Sequence, residues 1–250
     1  MTETLVLVPG LLCDEVVWAQ QRAALSDRVN VQVAHHGLLD SLGAMAQRII
    51  DEAPSRFAIA GHSMGGRVAL EVVRRVPDRV IALALLDTGA NPVAPGEAGE
   101  REASGRYALL EASRRQGMRA MAWIWLQNMV HPSRLSDAAL VEPILEMMGH
   151  KTPDIFEAQI KALLSRPSAR ELLPQILCPT LVMCGNEDAW APVKQHSELA
   201  ALIPRSKLVV VPECGHMSPM ERPEAITEAF KEWLDTVSHV EGSTGVTDER

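Results

Sequence analysis

The amino-acid sequence predicts an α/β protein with a mostly parallel central sheet and helices on both faces. Short apolar runs alternate with helical patterns in the first third of the chain and again near its end. The run Val80–Leu86 is almost continuously apolar, as expected for a strand that is covered on both faces. Glycine-containing turns follow several of the runs. Strands that alternate with helices favour right-handed crossovers and therefore a parallel sheet.

Four strands are predicted before residue 90. They are Leu5–Val8, Val29–Val33, Phe57–Ala60 and Val80–Leu86. Apolar residues at helical spacing lie between the last three of them: Leu42, Met45, Ala46, Ile49 and Ile50 in the first gap, and Val68, Ala69, Val72, Val73 and Val76 in the second. Pro77 ends the second helix.

The alternation stops at residues 91–96, a segment rich in proline and glycine. From about Gly99 to Ile176 only helical segments are predicted, namely Arg114–Val130, Asp137–Met148 and Asp154–Leu164. Strands resume at Thr180–Cys184 and Lys207–Val211, and Glu224–Val237 is a predicted closing helix. We therefore expect a core of residues 1–90 and 177–240, a helical cap of residues 91–176, and a disordered tail of residues 241–250.

Composition excludes several classes of protein. The chain has 250 residues, of which 47% are hydrophobic, which is enough for one large domain. The net charge of −8 argues against a surface that binds nucleic acid. No apolar run reaches the roughly 18 residues of a membrane span. We expect a cytoplasmic monomer or homodimer.

The four cysteines Cys13, Cys178, Cys184 and Cys214 are far apart in sequence, and no pair has a zinc-binding spacing. The sequence therefore predicts buried free thiols and no metal site. A catalytic thiol at Cys214, two residues before His216, is the alternative.

The segment Gly61-His62-Ser63-Met64-Gly65-Gly66 joins a predicted strand to a predicted helix. It contains the pattern G-x-S-x-G, which in such a turn exposes the serine as a nucleophile. Side chains at Gly61 or Gly65 would collide with neighbouring backbone in so sharp a turn. A helix-capping serine is the alternative interpretation, but capping does not require glycine on both sides.

A serine hydroxyl needs a base within hydrogen-bond reach and a third group that orients the base. Asp188 follows the strand Thr180–Cys184, and His216 follows the strand Lys207–Val211, so both are expected beside Ser63 at the carboxyl edge of the sheet. Glu187 and Asp87 compete for the role of the acid. Seven histidines compete with His216: His35, His36, His62, His131, His150, His196 and His239.

These motifs, in the order serine, aspartate, histidine, resemble the α/β-hydrolase-fold enzymes of the short, capped serine type. The resemblance also includes Val8-Pro9-Gly10-Leu11-Leu12, although Pro9 stands where the family usually has histidine. It implies the α/β-hydrolase fold with a small helical cap inserted after the sixth strand. Ser63 would be the nucleophile, His216 the general base and then acid, and Asp188 the residue that orients the imidazole. The oxyanion hole would use the backbone N–H groups of Leu11 and Met64.

The resemblance further implies a cofactor-independent hydrolase that cleaves esters of small or medium apolar substrates through an acyl-enzyme. Trp123 and Met121 in the cap and Arg67 on the helix after Ser63 are candidate substrate contacts. Lyase, enol-lactonase or carbon–carbon hydrolase chemistry on a carboxylate-bearing metabolite is the alternative. The lyase chemistry would require Arg67 to converge with cap arginines such as Arg114, Arg115 and Arg119. A non-catalytic receptor for a small ligand is the alternative of another class.

Overall fold

The computed structural model describes residues 3–243, and its central sheet has six parallel strands within that range. They are β1 (Thr4–Val8), β2 (Asn30–Val33), β3 (Phe57–His62), β4 (Val80–Leu86), β5 (Thr180–Gly185) and β6 (Ser206–Val211). Their order in the sheet is β2-β1-β3-β4-β5-β6, and every neighbouring pair is parallel. β3 and β5 are buried along their whole length. The predicted fold class is confirmed.

Helices cover both faces of this sheet. In chain order they are α1 (Ala19–Leu25), α2 (Leu42–Glu52), α3 (Met64–Arg75), α4 (Glu97–Gln116), α5 (Met118–Leu126), α6 (Ala138–Gly149), α7 (Pro153–Leu164), α8 (Val193–Leu202), α9 (Ser218–Glu221) and α10 (Pro223–Ser243). The connection from β1 to β2 runs across the sheet in the opposite direction to the later connections. Right-handed crossovers therefore place α1 on one face and α2, α3 and α8 on the other. α10 packs against α1, and α2 packs against α3. No helix in the described range is long and apolar enough to cross a membrane.

The helical insertion consists of α4, α5, α6 and α7. Counted along this chain it follows the fourth strand and not the sixth, because two of the six described strands, β5 and β6, come after it. The predicted segment Arg114–Val130 is in fact two helices, since Gly117 has a φ of +87° and ends α4. The boundaries of the cap at 90/91 and 176/177 stay predictions.

The closing helix α10 extends to Ser243, three residues into the segment that was expected to be a disordered tail. The rest of that segment, residues 244–250, lies outside the described residues.

The register of the sheet aligns the carboxyl ends of the strands that precede the predicted site loops. Val8 lies beside Gly61, and Gly61 lies beside Leu85, so β1, β3 and β4 end together. β5 pairs with β4 over Thr180–Met183 and ends just beyond, at Gly185. The turns after these strands therefore lie together at the carboxyl edge of the sheet. The helical insertion begins in the chain after the turn that follows β4.

Candidate active site

Ser63 occupies the sharp turn between β3 and α3. Its backbone has a φ of +55° and a ψ of −116°, a conformation that non-glycine residues rarely adopt. The turn requires small neighbours. A Cβ atom at Gly61 would lie 2.3 Å from the carbonyl oxygen of Gly65, and one at Gly65 would lie 2.1 Å from the carbonyl oxygen of Val8. The predicted glycine requirement is thus explained by backbone atoms, which cannot move aside as a flexible side chain can.

We expect Gly65→Ala to lower the free energy of unfolding by about 3 kcal/mol or more, because the added methyl group overlaps the backbone of β1. Gly105→Ala is the matched control. Gly105 lies inside α4 and has open space around it, so alanine should stabilise the protein by up to about 1 kcal/mol through helix propensity. Urea unfolding of both variants gives the measurement. Equal midpoints would contradict the close packing of this turn.

Ser63, His216 and Asp188 form a continuous chain of hydrogen bonds. The Nε2 atom of His216 lies 2.8 Å from the Oγ atom of Ser63. Its Nδ1 atom lies 2.8 Å and 2.9 Å from the two carboxylate oxygens of Asp188. Asp188 and His216 are buried, whereas Ser63 is half-buried. The three predicted residues are therefore brought together, with the hydroxyl at the accessible end.

Asp188 is held as a carboxylate. Burial by itself raises its pKa, but the charge and hydrogen bond of His216 and the N–H groups of Ala191 and Trp190 lower the pKa below its ordinary value. Those two N–H groups donate to Oδ1 over 2.9 Å and 2.8 Å. A carboxylate can only accept, so the Nδ1 atom of His216 carries a proton and its Nε2 atom is free to accept one.

The two competing acids do not contact His216. Glu187 is exposed and bonds to Asn186 and to the N–H of Cys214. Asp87, directly after β4, accepts the N–H of Gly185 at 3.2 Å and both the N–H and the hydroxyl of Ser218 at 3.3 Å and 2.5 Å. Burial raises the pKa of Asp87 well above its ordinary value, and the charge of Asp188 raises it further. Asp87 therefore connects the loop of Asp188 to the loop of His216.

His62 supports His216 from below. Burial lowers the pKa of His62 to about 3, so the ring is neutral. Its Nε2 atom lies 2.8 Å from the carbonyl oxygen of His216 and must donate to it. In the sequence this residue is only one of the seven histidines that compete with His216. Cys214 is fully buried, and burial raises its pKa, which removes the thiolate that a catalytic role would need.

Glu221 fastens the loop that carries His216, a role that no pattern in the sequence predicted. Its carboxyl group accepts the N–H groups on either side of His216, from Gly215 at 3.0 Å and Met217 at 3.2 Å. It also accepts the N–H of His131 at 2.7 Å. Because His131 lies between α5 and α6, this one side chain connects the histidine loop to the helical insertion.

We expect Glu221→Gln to lower kcat about 10-fold to 100-fold and the free energy of unfolding by about 1–3 kcal/mol. The amide nitrogen that replaces one oxygen would face a backbone donor and leave it unpaired. Steady-state kinetics and urea unfolding measure the two effects. Glu228→Gln, at an exposed position on α10 paired with Lys231, is the control and should change neither value appreciably. Equal behaviour of the two variants would contradict the supporting role of Glu221.

The turn after β1 and the start of α3 supply the backbone N–H groups of the predicted oxyanion hole. Leu11 and Met64 both line the cavity described below. Within residues 3–243 neither of their N–H groups donates to another protein group. The turn is held by Gln159 of α7, whose side-chain oxygen accepts the N–H of Leu12 at 2.8 Å. Leu12 has a φ of +61°. Gln159 is a further contact that the sequence did not reveal.

A cavity of about 390 Å³ opens over the hydroxyl of Ser63. Its walls come from the strand-end loops and from the insertion. Arg67 lines it as predicted. Met121 and Trp123 do not line it: Met121 is fully buried, and Trp123 is 43% exposed on the outer surface. Since Trp125 is four residues from Met121 and two from Trp123, it shares the inner face of α5 and reaches the cavity instead.

The cap arginines that the carboxylate hypothesis named also lie elsewhere. Arg114 and Arg119 are exposed and pair with Glu157 and Glu142, and Arg115 is 78% exposed. Two other arginines of the insertion, Arg106 and Arg166, line the cavity together with Arg67. Among the described residues, no group of three or more His, Cys, Asp or Glu side chains is arranged to hold a metal ion.

Comparison with known proteins identifies the family of this chain. The family model described as the alpha/beta hydrolase family matches residues 5–229. The chain belongs to this family. As a member of the alpha/beta hydrolase family it is an enzyme, and its curated relatives include esterases and putative carbamate hydrolases.

One such relative is the pimeloyl-[acyl-carrier protein] methyl ester esterase of Nitrosomonas europaea. It is 28% identical over 243 residues, which cover 90% of this chain and 93% of the relative. Among solved structures, a malate-bound thermophilic esterase from Thermogutta terrifontis has a TM-score of 0.82 and 31% identity, covering 94% of this chain and 90% of that chain. The enol-lactonase of Burkholderia xenovorans has a TM-score of 0.81 at 24% identity, covering 94% and 92%, and shows the shared fold.

Proposed function

We propose that this alpha/beta hydrolase cleaves carboxylic esters through an acyl-enzyme formed on Ser63. The observation that carries the proposal is the unbroken hydrogen-bond chain from the Oγ atom of Ser63 through His216 to Asp188, with the hydroxyl facing a cavity. The substrate is a small molecule, because a cavity of about 390 Å³ holds a short acyl chain and a small alcohol. The chemistry requires no cofactor.

The proposed reaction has two halves. As the Oγ atom of Ser63 attacks the ester carbonyl carbon, its proton passes to the Nε2 atom of His216. The N–H groups of Leu11 and Met64 stabilise the negative carbonyl oxygen of the intermediate, aided by the amino end of α3. Collapse of the intermediate breaks the bond to the alcohol, which leaves with the proton from His216. In the second half, a water molecule gives a proton to the Nε2 atom of His216 and attacks the carbonyl carbon of the acyl-enzyme. The bond to the Oγ atom of Ser63 then breaks, the serine regains the proton from His216, and the carboxylic acid is released.

A fluorophosphonate probe tests the nucleophile, and a panel of p-nitrophenyl esters from acetate to decanoate, with lactones alongside, tests the reaction. We expect rapid labelling of the wild-type protein and a maximum of kcat/KM at a short chain length. A folded protein that neither reacts with the probe nor hydrolyses any ester would overturn the proposal and favour the receptor hypothesis. Labelling with background hydrolysis of every ester would favour the lyase or carbon–carbon alternatives.

A further inference from the structure

We propose that Arg67, Arg106 and Arg166 form a binding site for a free carboxylate, so that the preferred substrate is an ester that carries one. This inference rests on the proposed ester hydrolysis for its reaction, but its binding site is defined by other residues. The three guanidinium groups come from α3, from α4 and from the segment after α7, and all three line the cavity over Ser63.

Arg67 has donors available inside the cavity. It lies four residues after Ser63, about one turn along α3. Its Nη1 atom donates to the carbonyl oxygen of Asn91 at 2.7 Å. Within the described part of the chain no carboxylate lies within ion-pair distance of it. A largely buried guanidinium without a partner anion destabilises a protein. A ligand carboxylate would supply that anion.

Glu102 neutralises only part of the positive charge of the three arginines. Its two oxygens accept from Nη1 and Nη2 of Arg166 at 2.6 Å and 2.7 Å, and one of them also accepts from Nε and Nη2 of Arg106 at 3.0 Å and 2.9 Å. Although burial alone raises the pKa of Glu102, the two arginines lower it to about 2, so it is ionised. Three cations thus face one anion, which leaves an excess of two positive charges.

The excess of positive charge is confined to the cavity, whereas the whole chain carries a net charge of −8. Surface arginines of the insertion have their own acidic partners, as Arg114 has in Glu111 and Glu157. The other carboxyl group at the cavity, Asp87, is bonded to Ser218, and burial keeps its pKa well above the ordinary value. A positive cavity in an acidic protein favours an anionic ligand.

The cluster adjoins the reacting groups. The guanidinium of Arg106 lies 5.9 Å from the ring centre of Trp190, and that ring lies 6.5 Å from the ring of His216. Apolar walls from Leu11, Met64 and Leu163 lie in the same cavity. We infer a substrate whose ester group sits at Ser63, whose short alkyl chain contacts these walls, and whose carboxylate binds the arginines.

Matched ester pairs test this inference in the wild-type protein. Methyl hydrogen glutarate is compared with methyl pentanoate for a carboxylate on the acyl side, and acetoxyacetate with 2-methoxyethyl acetate for one on the alcohol side. We expect kcat/KM to be at least about 30-fold higher for the charged member of one pair, and the pair that responds identifies the side. Equal values, or a preference for the neutral member in both pairs, would overturn the carboxylate site.

Variants then locate the preference. Arg67→Met should lower the charged-to-neutral ratio of kcat/KM by about 10-fold or more, and Arg67→Lys should retain part of it. Arg114→Met, which removes an exposed arginine of α4, is the control and should leave the ratio unchanged. If the arginines only anchor the insertion, Arg67→Met will lower kcat/KM equally for the charged and the neutral ester and leave their ratio at the wild-type value. That result would contradict the proposal.

A competition experiment separates this inference from the proposed reaction. Glutarate should slow fluorophosphonate labelling of Ser63 in the wild-type protein and not in Arg67→Met. Protection without hydrolysis of any ester would reject the proposed reaction and support the carboxylate site. Hydrolysis without protection and without a charge preference would reject the site and support the reaction. Absence of both protection and hydrolysis would reject both.

Discussion

Replacement of Ser63 by alanine is expected to lower kcat for a p-nitrophenyl ester by about 10⁶-fold while leaving the fold intact. The hydroxyl is the proposed nucleophile and the group that lies at hydrogen-bond distance from Nε2 of His216. Its removal should cost little stability. The side chain makes no capping hydrogen bond at the start of α3. Alanine also has the same Cβ atom in the strained turn.

The measurement combines kcat with urea unfolding, so that loss of activity is separated from loss of fold. Ser26→Ala is the control, because Ser26 lies at the end of α1, far in sequence from the site, and its hydroxyl donates to the carbonyl oxygen of Ala23. That variant should retain wild-type kcat. A Ser63→Ala protein with more than about 1% of wild-type activity, after exclusion of contaminating enzyme, would show that another group attacks the ester.

Asp188→Asn should lower kcat by about 10⁴-fold. The asparagine oxygen can still accept the N–H groups of Trp190 and Ala191, so the loop should keep its shape. Its NH₂ group, however, would face the Nδ1 atom of His216 in place of an oxygen. That favours the tautomer with the proton on Nε2, which cannot accept a proton from Ser63. The proposed base would then be blocked with its geometry preserved.

Asp87→Asn is the matched comparison, since both aspartates lie in turns that follow strands of the sheet, Asp87 after β4 and Asp188 after β5. Asp87 does not contact His216, so replacing its carboxyl group by an amide should lower kcat less than about 10-fold. Kinetics of the two variants at the same pH decide between the acids. The reverse order of effects would assign the orienting role to Asp87.

The core of the fold and the central chain of the site could be predicted because local rules determine them. The turn at Ser63 needs glycine at positions 61 and 65 wherever a strand turns this sharply into a helix, since backbone atoms lie within 2.6 Å of any added Cβ. The parallel sheet then places the loops of Asp188 and His216 at the same edge as Ser63. These constraints act within a few residues or follow from sheet topology alone.

The resemblance implied Asp188 rather than Asp87 as the acid, and the tertiary structure shows the physical difference: both follow buried strands, but of the two it is Asp188 that approaches His216. Glu221 accepts the N–H of a residue six positions away in the chain, and Gln159 accepts the N–H of a residue 147 positions away. A contact over 147 positions leaves no local pattern in the sequence. The same limit explains why Trp123 and Met121 were wrongly expected at the cavity in place of Trp125.

The sequence by itself therefore determined the strand-turn-helix motif, the order of serine, aspartate and histidine, and the parallel sheet that gathers them. Only the tertiary structure decided which arginines of the insertion line the cavity. Periodicity shows which face of a cap helix is apolar, but Arg106 and Arg114 lie on the same helix α4, and one faces the cavity while the other faces solvent. The physical reason is that the orientation of the cap helices depends on packing between segments far apart in the chain, which no local spacing encodes.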